Sequence, residues 1–234
     1  MFITNRRVQV QENDFGWPVL QNWLNPLHLG PIYLCYFTFH IFTLMRVISG
    51  LAKGRKLKPV PGAGTRPITD RTKESLFNIL GDWIVTARIL DLFAGSGAVG
   101  IEALSREAGH VTFIDKSHLA TRTIGRNLQL TGFAKQALVK KMDAFKFLLN
   151  PPTELYDLIY IAPPQYENLW IRTLQTVDSQ LDEWLLPDGA VIVQIHPVEY
   201  EPLPLKNLTL YDERQYGSTR LCFYEWTTNQ KFVD

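Results

Sequence analysis

Cysteine is nearly missing from this chain. Cys35 and Cys222 are the only two in 234 residues, which excludes a disulfide framework, and their spacing matches no zinc-ligand pattern. That usage fits a reducing, cytoplasmic setting. Net charge is nearly missing as well: 24 Lys and Arg against 23 Asp and Glu leave +1. Whole-molecule electrostatics therefore neither demand nor forbid a nucleic-acid partner, and any basic footprint must be local. Internal repeats and low-complexity tracts are absent. What is present is a 46% hydrophobic composition, which excludes general disorder and suits one α/β domain with a sizeable core.

Charge is wholly lacking from residues 15–45, and Leu27 to Leu44 reads LHLGPIYLCYFTFHIFTL, close to the length needed to cross a bilayer. Pro31, two histidines and the lack of a small-residue cleavage site weigh against an anchor or signal. The favoured expectation is that Met45 is the real start and that residues 1–44 are upstream sequence read from the wrong initiation point. A membrane or targeting segment and an extra packed element are the alternatives, and a membrane partner is expected only if residues 1–44 are real. The remaining chain divides into a basic β-hairpin arm at 45–66, a catalytic domain at 67–227 and a tail at 228–234.

From Arg46 to Lys73, the cations Arg46, Lys53, Arg55, Lys56, Lys58, Arg66, Arg71 and Lys73 are opposed only by Asp70. RVIS and RKLKPV, separated by a glycine turn, read as the two strands of a hairpin. Such a run is either a lysine-rich edge that resists aggregation or an arm that contacts phosphates. After it, Thr69 or Asp70 can cap a helix whose buried face carries Leu76, Phe77, Ile79, Leu80, Trp83 and Ile84. Strand and helix patterns then alternate through HVTFID, ALVKKMD, YDLIYIAPP and AVIVQIHP, and the chain closes with two strands lacking an intervening helix. This predicts a doubly wound, mostly parallel seven-stranded sheet, with an antiparallel pair at its C-terminal end.

The stretch RILDLFAGSGAVG, from Arg88 to Gly100, is a strand, a glycine turn and the start of a helix. Gly95, Gly97 and Gly100 fit G-x-G-x-x-G, with Asp115 twenty positions beyond Gly95, so a nicotinamide dinucleotide has to be considered. Asp91 and Phe93 argue otherwise, because a carboxylate beside the glycines gains nothing from a pyrophosphate and suits a ligand with a cationic end. S-adenosylmethionine is such a ligand. Asp115 is then placed for the ribose hydroxyls and Asp143 for the adenine amino group. The alternative for each aspartate is that it caps the helix after it. His110, His118 and His196 fit no metal spacing and read as surface or strand-end residues; no metal is expected.

At the fourth strand, IAPPQY lies where a methyl group would be presented. Two prolines fix the backbone there, carbonyl oxygens could face an amine, and a neighbouring ring could stack on a base; otherwise the pair merely ends a strand. MRVISGLAKGRKLKPVPG, TRPITDRTKESLFNIL, ILDLFAGSGAVGIEALSR, the double proline and YGSTRLCFYEW, in this order from Met45 to about Trp226, resemble the bacterial RsmD family. Members of that family are S-adenosylmethionine-dependent methyltransferases of a guanine 2-amino group in small-subunit (16S) ribosomal RNA. The resemblance implies a Rossmann-like fold, with Asp91, Phe93, Ala94, Gly95 and Gly97 around the cofactor, Asp115 at its ribose and Asp143 at its adenine. It implies a lid-like segment through Arg66, Thr69, Asp70, Arg71 and Asn78, of which Asn78 is assigned to the cofactor. RNA contacts are expected from Arg46, Lys53, Arg55, Lys56, Lys58, Arg66, Thr69 and Arg71, on ribosomal RNA or a small-subunit assembly intermediate, with the chain a monomer.

One departure stands out. Related amine methyltransferases read Asp-Pro-Pro followed by Tyr or Phe, whereas this chain has Ala162, Pro163, Pro164 and Gln165, with the ring at Tyr166. Ala162 cannot accept a hydrogen bond from the target amine. Either the Pro163 carbonyl and the Gln165 side chain do the positioning, or the enzyme is slow, or the chain binds without catalysing. The competing functions are a non-catalytic RNA-binding assembly factor and, further off, a nicotinamide-dependent oxidoreductase.

Overall fold

The computed structural model describes residues 45–62 and 68–227. The expectations for residues 1–44, for Arg66 and for the 228–234 tail lie outside these. β1 (Arg88–Asp91), β2 (His110–Asp115), β3 (Ala137–Lys141), β4 (Tyr156–Ile161), β5 (Leu185–Ile195), β6 (Leu208–Tyr216) and β7 (Thr219–Trp226) form one sheet in the order β3-β2-β1-β4-β5-β7-β6. The first five are parallel; β7 runs antiparallel to β5, and β6 to β7. The expected seven-stranded doubly wound sheet is thus realised.

Helices cover both faces because the strands alternate in where their apolar side chains point. Ile89, Val111, Phe113 and Leu158 pack with the arm, α1 (Asp70–Leu80), α2 (Ala98–Ser105) and α3 (His118–Thr131). Leu90, Ile114, Ile159 and Val191 pack with α4 (Ala144–Phe147) and α5 (Leu169–Ser179) on the other face. Single-residue alternation such as Ile89 against Leu90 makes β1 apolar on both sides, as a central parallel strand must be.

Thr69 caps α1, its hydroxyl accepting from the Thr72 amide at 3.2 Å. Leu76, Phe77, Leu80 and Ile84 are buried as expected, but Ile79 and Trp83 are 38% and 40% exposed. The helix ends at Leu80 and the chain tightens into a 3-10 turn over Gly81–Ile84, which breaks the helical phase that Trp83 was assigned by.

The arm is narrower than two strands. A single antiparallel bridge joins Arg46 to Lys56, with Val47 donating to the Arg55 carbonyl and Leu57 to the Met45 carbonyl. What fixes it is a buried carboxylate on α2. Glu102, fully buried, accepts from the amides of Ile48 (2.7 Å) and Ser49 (2.9 Å) and pairs with Lys73 (3.2 Å) and Arg106 (3.1 Å). Four converging donors offset the desolvation that a lone carboxylate would carry. Lys73 therefore belongs to the interior and not to the basic surface that the sequence suggests. Asn127 of α3, also fully buried, ties Lys58 at both its amide (2.8 Å) and its carbonyl (3.0 Å).

Candidate functional site

The chain crosses from one face of the sheet to the other between β1 and β4, and ligands of open α/β sheets bind at the carboxyl ends of such a switch point. Asp91, the last residue of β1, lies in register with Tyr160 of β4, and Leu92 donates to the Tyr160 carbonyl. The glycine turn and the Ala-Pro-Pro loop, 67 residues apart from Gly95 to Ala162, therefore leave the sheet side by side.

On the β1 side the glycines divide their work. Gly95 has φ +53° and open space where a Cβ would stand, as a turn that admits a ligand requires. Gly100 is packed instead: a Cβ there would fall 2.3 Å from the ring of Phe113, so it seats α2 against β2. Asp115 fastens the turn by accepting from the Gly95 amide (2.9 Å) and the Ser117 amide (2.8 Å). The Gly95 amide is consequently already engaged, while α3 is capped by Ser117 rather than by Asp115. Asp143 is where the capping alternative is realised. It lies two residues past β3, and its Oδ1 accepts from the Phe145 and Lys146 amides at the start of α4.

Asp91 behaves differently from both. It is 2% exposed, and its Oδ1 is buried without a hydrogen-bond partner. Burial, and secondarily the negative charge of Asp115, push its carboxyl up to about 7 against the opposing pull of the Phe93 and Gly100 amides. An orphaned carboxylate oxygen beside an open glycine turn fits a ligand that brings a cationic donor; a phosphate there would meet repulsion. These residues fit S-adenosylmethionine on those grounds.

On the β4 side, Ala162 and Pro164 are half-buried, Pro163 is buried, and Gln165 is exposed. Tyr166 is 67% exposed with φ +64°, and Asn168, which opens α5, has φ +53°. Two left-handed residues without a glycine need an external restraint. It comes from beyond β5: Glu199 Oε1 accepts from the Tyr166 amide at 2.6 Å and its Oε2 from the His196 amide at 3.2 Å. The His196 ring lies 5.7 Å from that of Tyr166, tilted by 41°. Neither Glu199 nor His196 was singled out as a site residue by sequence; an acid two residues past a proline that ends a strand is the faint signal that could have marked it. Beneath the loop, Tyr160 donates from its hydroxyl to Gln194 Oε1, and burial followed by the Asp91 charge pushes its phenol well up.

The other assigned residues scatter. Asn78 is exposed and shares a recess of about 380 Å³ with Gly81, Asp82, Arg106 and Glu107, at the amino edge of the sheet, away from Asp91. Asn78 stands nine residues beyond Thr69, about two and a half turns along α1. Thr69 spends its hydroxyl on the α1 cap, and Arg46 pairs with Asp70 at 2.9 Å. Lys53, Arg55, Lys56, Lys58 and Arg71 are exposed, and no ion pair among the described residues involves them. The arm reaches the glycine turn directly: Asn127 donates to the Ser96 carbonyl at 2.9 Å, and Ser96 Oγ contacts Met45 Sδ at 3.6 Å.

Among the described residues there is no group of three or more His, Cys, Asp or Glu able to hold a metal, and no helix is long and apolar enough to cross a membrane. Residues 45–225 match the family described as conserved hypothetical protein 95. The chain is 35% identical over 182 residues to ribosomal RNA small subunit methyltransferase D of Escherichia coli K12, covering 77% of this chain and 89% of that one. It is 34% identical over 183 residues to the protein of the same name from Haemophilus influenzae, covering 77% and 93%. The solved structure of the yhhF protein from Escherichia coli superposes with a TM-score of 0.69 at 34% identity, over 78% of this chain and 98% of that one.

Proposed function

The chain belongs to the family of the small-subunit ribosomal RNA methyltransferases D, and from that membership we propose that it methylates the exocyclic 2-amino group of a guanine in small-subunit ribosomal RNA. The observation that carries the reading is the buried, unpartnered Oδ1 of Asp91 standing one strand away from the Ala-Pro-Pro loop. When bound, S-adenosylmethionine supplies an activated methyl group on a sulfonium centre. Asp91 would accept from its ammonium, Asp115 from its ribose and the second oxygen of Asp143 from its adenine, with Phe93, Ala94, Gly95 and Gly97 enclosing it.

The chain's own task is then positioning. An in-line transfer from an activated donor gains most of its acceleration from holding the amine at the right place and angle. The target guanine, turned out of its stack, would lie against the exposed face of Tyr166, with its amine toward the Pro163 carbonyl and the Gln165 side chain. Glu199 holds Tyr166 for this by its backbone, so rigidity of the loop compensates in part for the carboxylate that Ala162 lacks.

The test is to incubate the protein with labelled cofactor and small subunits or assembly intermediates from a strain lacking the gene. Label is expected in one guanine as the N2-methyl derivative after digestion; its absence from guanine rejects the activity. Ala162 favours one second reading, a non-catalytic RNA-binding assembly factor that retains the cofactor fold. Tight cofactor binding with no turnover on any assembly state would identify it.

A further inference from the structure

The net charge of +1 conceals a segregation of charge along the chain. Residues 116–152 contain seven lysines and arginines and a single acid, Asp143, whereas residues 153–234 contain five and thirteen. The structure places six of these seven at the β3 edge of the sheet. Lys116 precedes α3, Arg122 and Arg126 lie one turn apart on its solvent face, Lys135 is in the turn after it, and Lys141 is on β3, the outermost strand; Lys140, also on β3, points to the opposite face, over the Phe147 ring of α4. All six are exposed, and no ion pair among the described residues involves them.

This surface is continuous with the arm. Asn127, the neighbour of Arg126, holds the Lys58 backbone at its amide and carbonyl, which fastens the segment carrying Lys58 to α3 beside Arg126. A solvated helix face ordinarily intersperses acids with bases at i,i+4, and here Arg122 and Arg126 occupy that spacing with like charge, which is unfavourable without a polyanion. Protection of an edge strand would account for Lys140 and Lys141. It would not account for the four cations before β3, nor for the near-absence of acids.

We propose that the α3–β3 face is a second phosphate-binding surface, which with the arm grips the backbone of the substrate RNA beyond the target nucleotide. The proposal rests on the reading of the substrate as ribosomal RNA. Cations that neutralise phosphates release condensed counterions, so the affinity should fall with salt in proportion to the contacts made.

The test uses the full chain with three variants: Arg122→Gln/Arg126→Gln/Lys141→Gln on the face, Lys53→Gln/Lys56→Gln on the arm, and Arg172→Gln outside both. Binding to small subunits is measured from about 50 to 200 mM salt, alongside cofactor affinity and Tm. The face variant is expected to bind at least tenfold more weakly at 100 mM salt and to lower the slope of log K against log salt by about 3, with cofactor affinity and Tm held. Arg172→Gln is expected to change neither. If the arm variant weakens binding and the face variant does not, the face proposal is overturned and the RNA reading stands. If neither variant changes binding, the RNA reading falls and takes the proposal with it. Loss of binding to anionic phospholipid vesicles with RNA affinity unchanged would also overturn it, in favour of a membrane surface.

Discussion

The two halves of the site are held by different means. On the β1 side, Asp91, the glycine turn and Asp115 lie within 25 residues of one another, and the helices behind them are fixed by fully buried polar groups, Glu102 and Asn127. On the β4 side, the Pro-Pro-Gln-Tyr loop carries two left-handed residues and an exposed ring, and its tie to the rest of the molecule runs through the carboxylate of Glu199. The cofactor half is over-determined by burial, whereas the Tyr166 end of the target half is held at the surface, by the Glu199 carboxylate and the His196 ring. That difference predicts where the protein tolerates change: loss on the first side should appear in stability and cofactor affinity, and loss on the second in turnover.

The largest effect expected is on stability. Glu102→Ala leaves Lys73 buried without its counter-ion and two arm amides without an acceptor, and should destabilise the fold by about 3–5 kcal/mol, read by denaturant titration. A loss below 1 kcal/mol would mean that the arm is not held from within. Next, Asp91→Ala should weaken cofactor binding by about a hundredfold, the worth of a hydrogen bond to a charged group, by calorimetry. Unchanged affinity would remove Asp91 from the site and erase the contrast between the halves.

Glu199→Ala should lower kcat on small subunits by about tenfold, since loss of the restraint lets the ring wander from its productive place, while cofactor affinity stays within about twofold. In a Tyr166→Ala background, Glu199→Ala should cost nothing further if Glu199 acts through that ring. Additive losses would show two independent contributions and break the comparison at its weaker half.

The smallest and most graded effect is in pH. With its carboxyl raised to about 7, Asp91 is increasingly protonated in the free protein as pH falls below that value. A cationic ligand must then displace a proton, and its affinity should drop by up to about tenfold per pH unit. Stability of the ligand-free protein runs the opposite way. The folded-state value exceeds the ordinary 3.8, so this group favours folding most below pH 4 and loses that contribution as pH rises through 7. Asp91→Asn should abolish both trends.

Much of the β1 half is legible in the sequence because it is local. A strand that ends on Asp, turns through Gly95 and restarts as a helix is written in adjacent residues, and HVTFID matches β2 residue for residue. Tertiary contacts are what spacing does not encode. Lys73 belongs with the basic run by sequence, yet Glu102 draws it inside; Asn78 lines a recess with Asp82 and Arg106; Asp143 gives one of its two oxygens to the cap of a four-residue helix.

What the sequence determined by itself is the doubly wound sheet, the position of its glycine turn and the acidity of the crevice, since these depend on alternation and on residue types at the ends of successive strands. The tertiary structure decided which of those acids has an unmet valence, and it brought Glu199 from beyond β5 to the amide of Tyr166, 33 residues away. It also joined the arm to α3 through Asn127. Hydrogen-bond satisfaction in a packed interior is a property of neighbours in space, and parallel strands bring together neighbours that lie far apart in the chain.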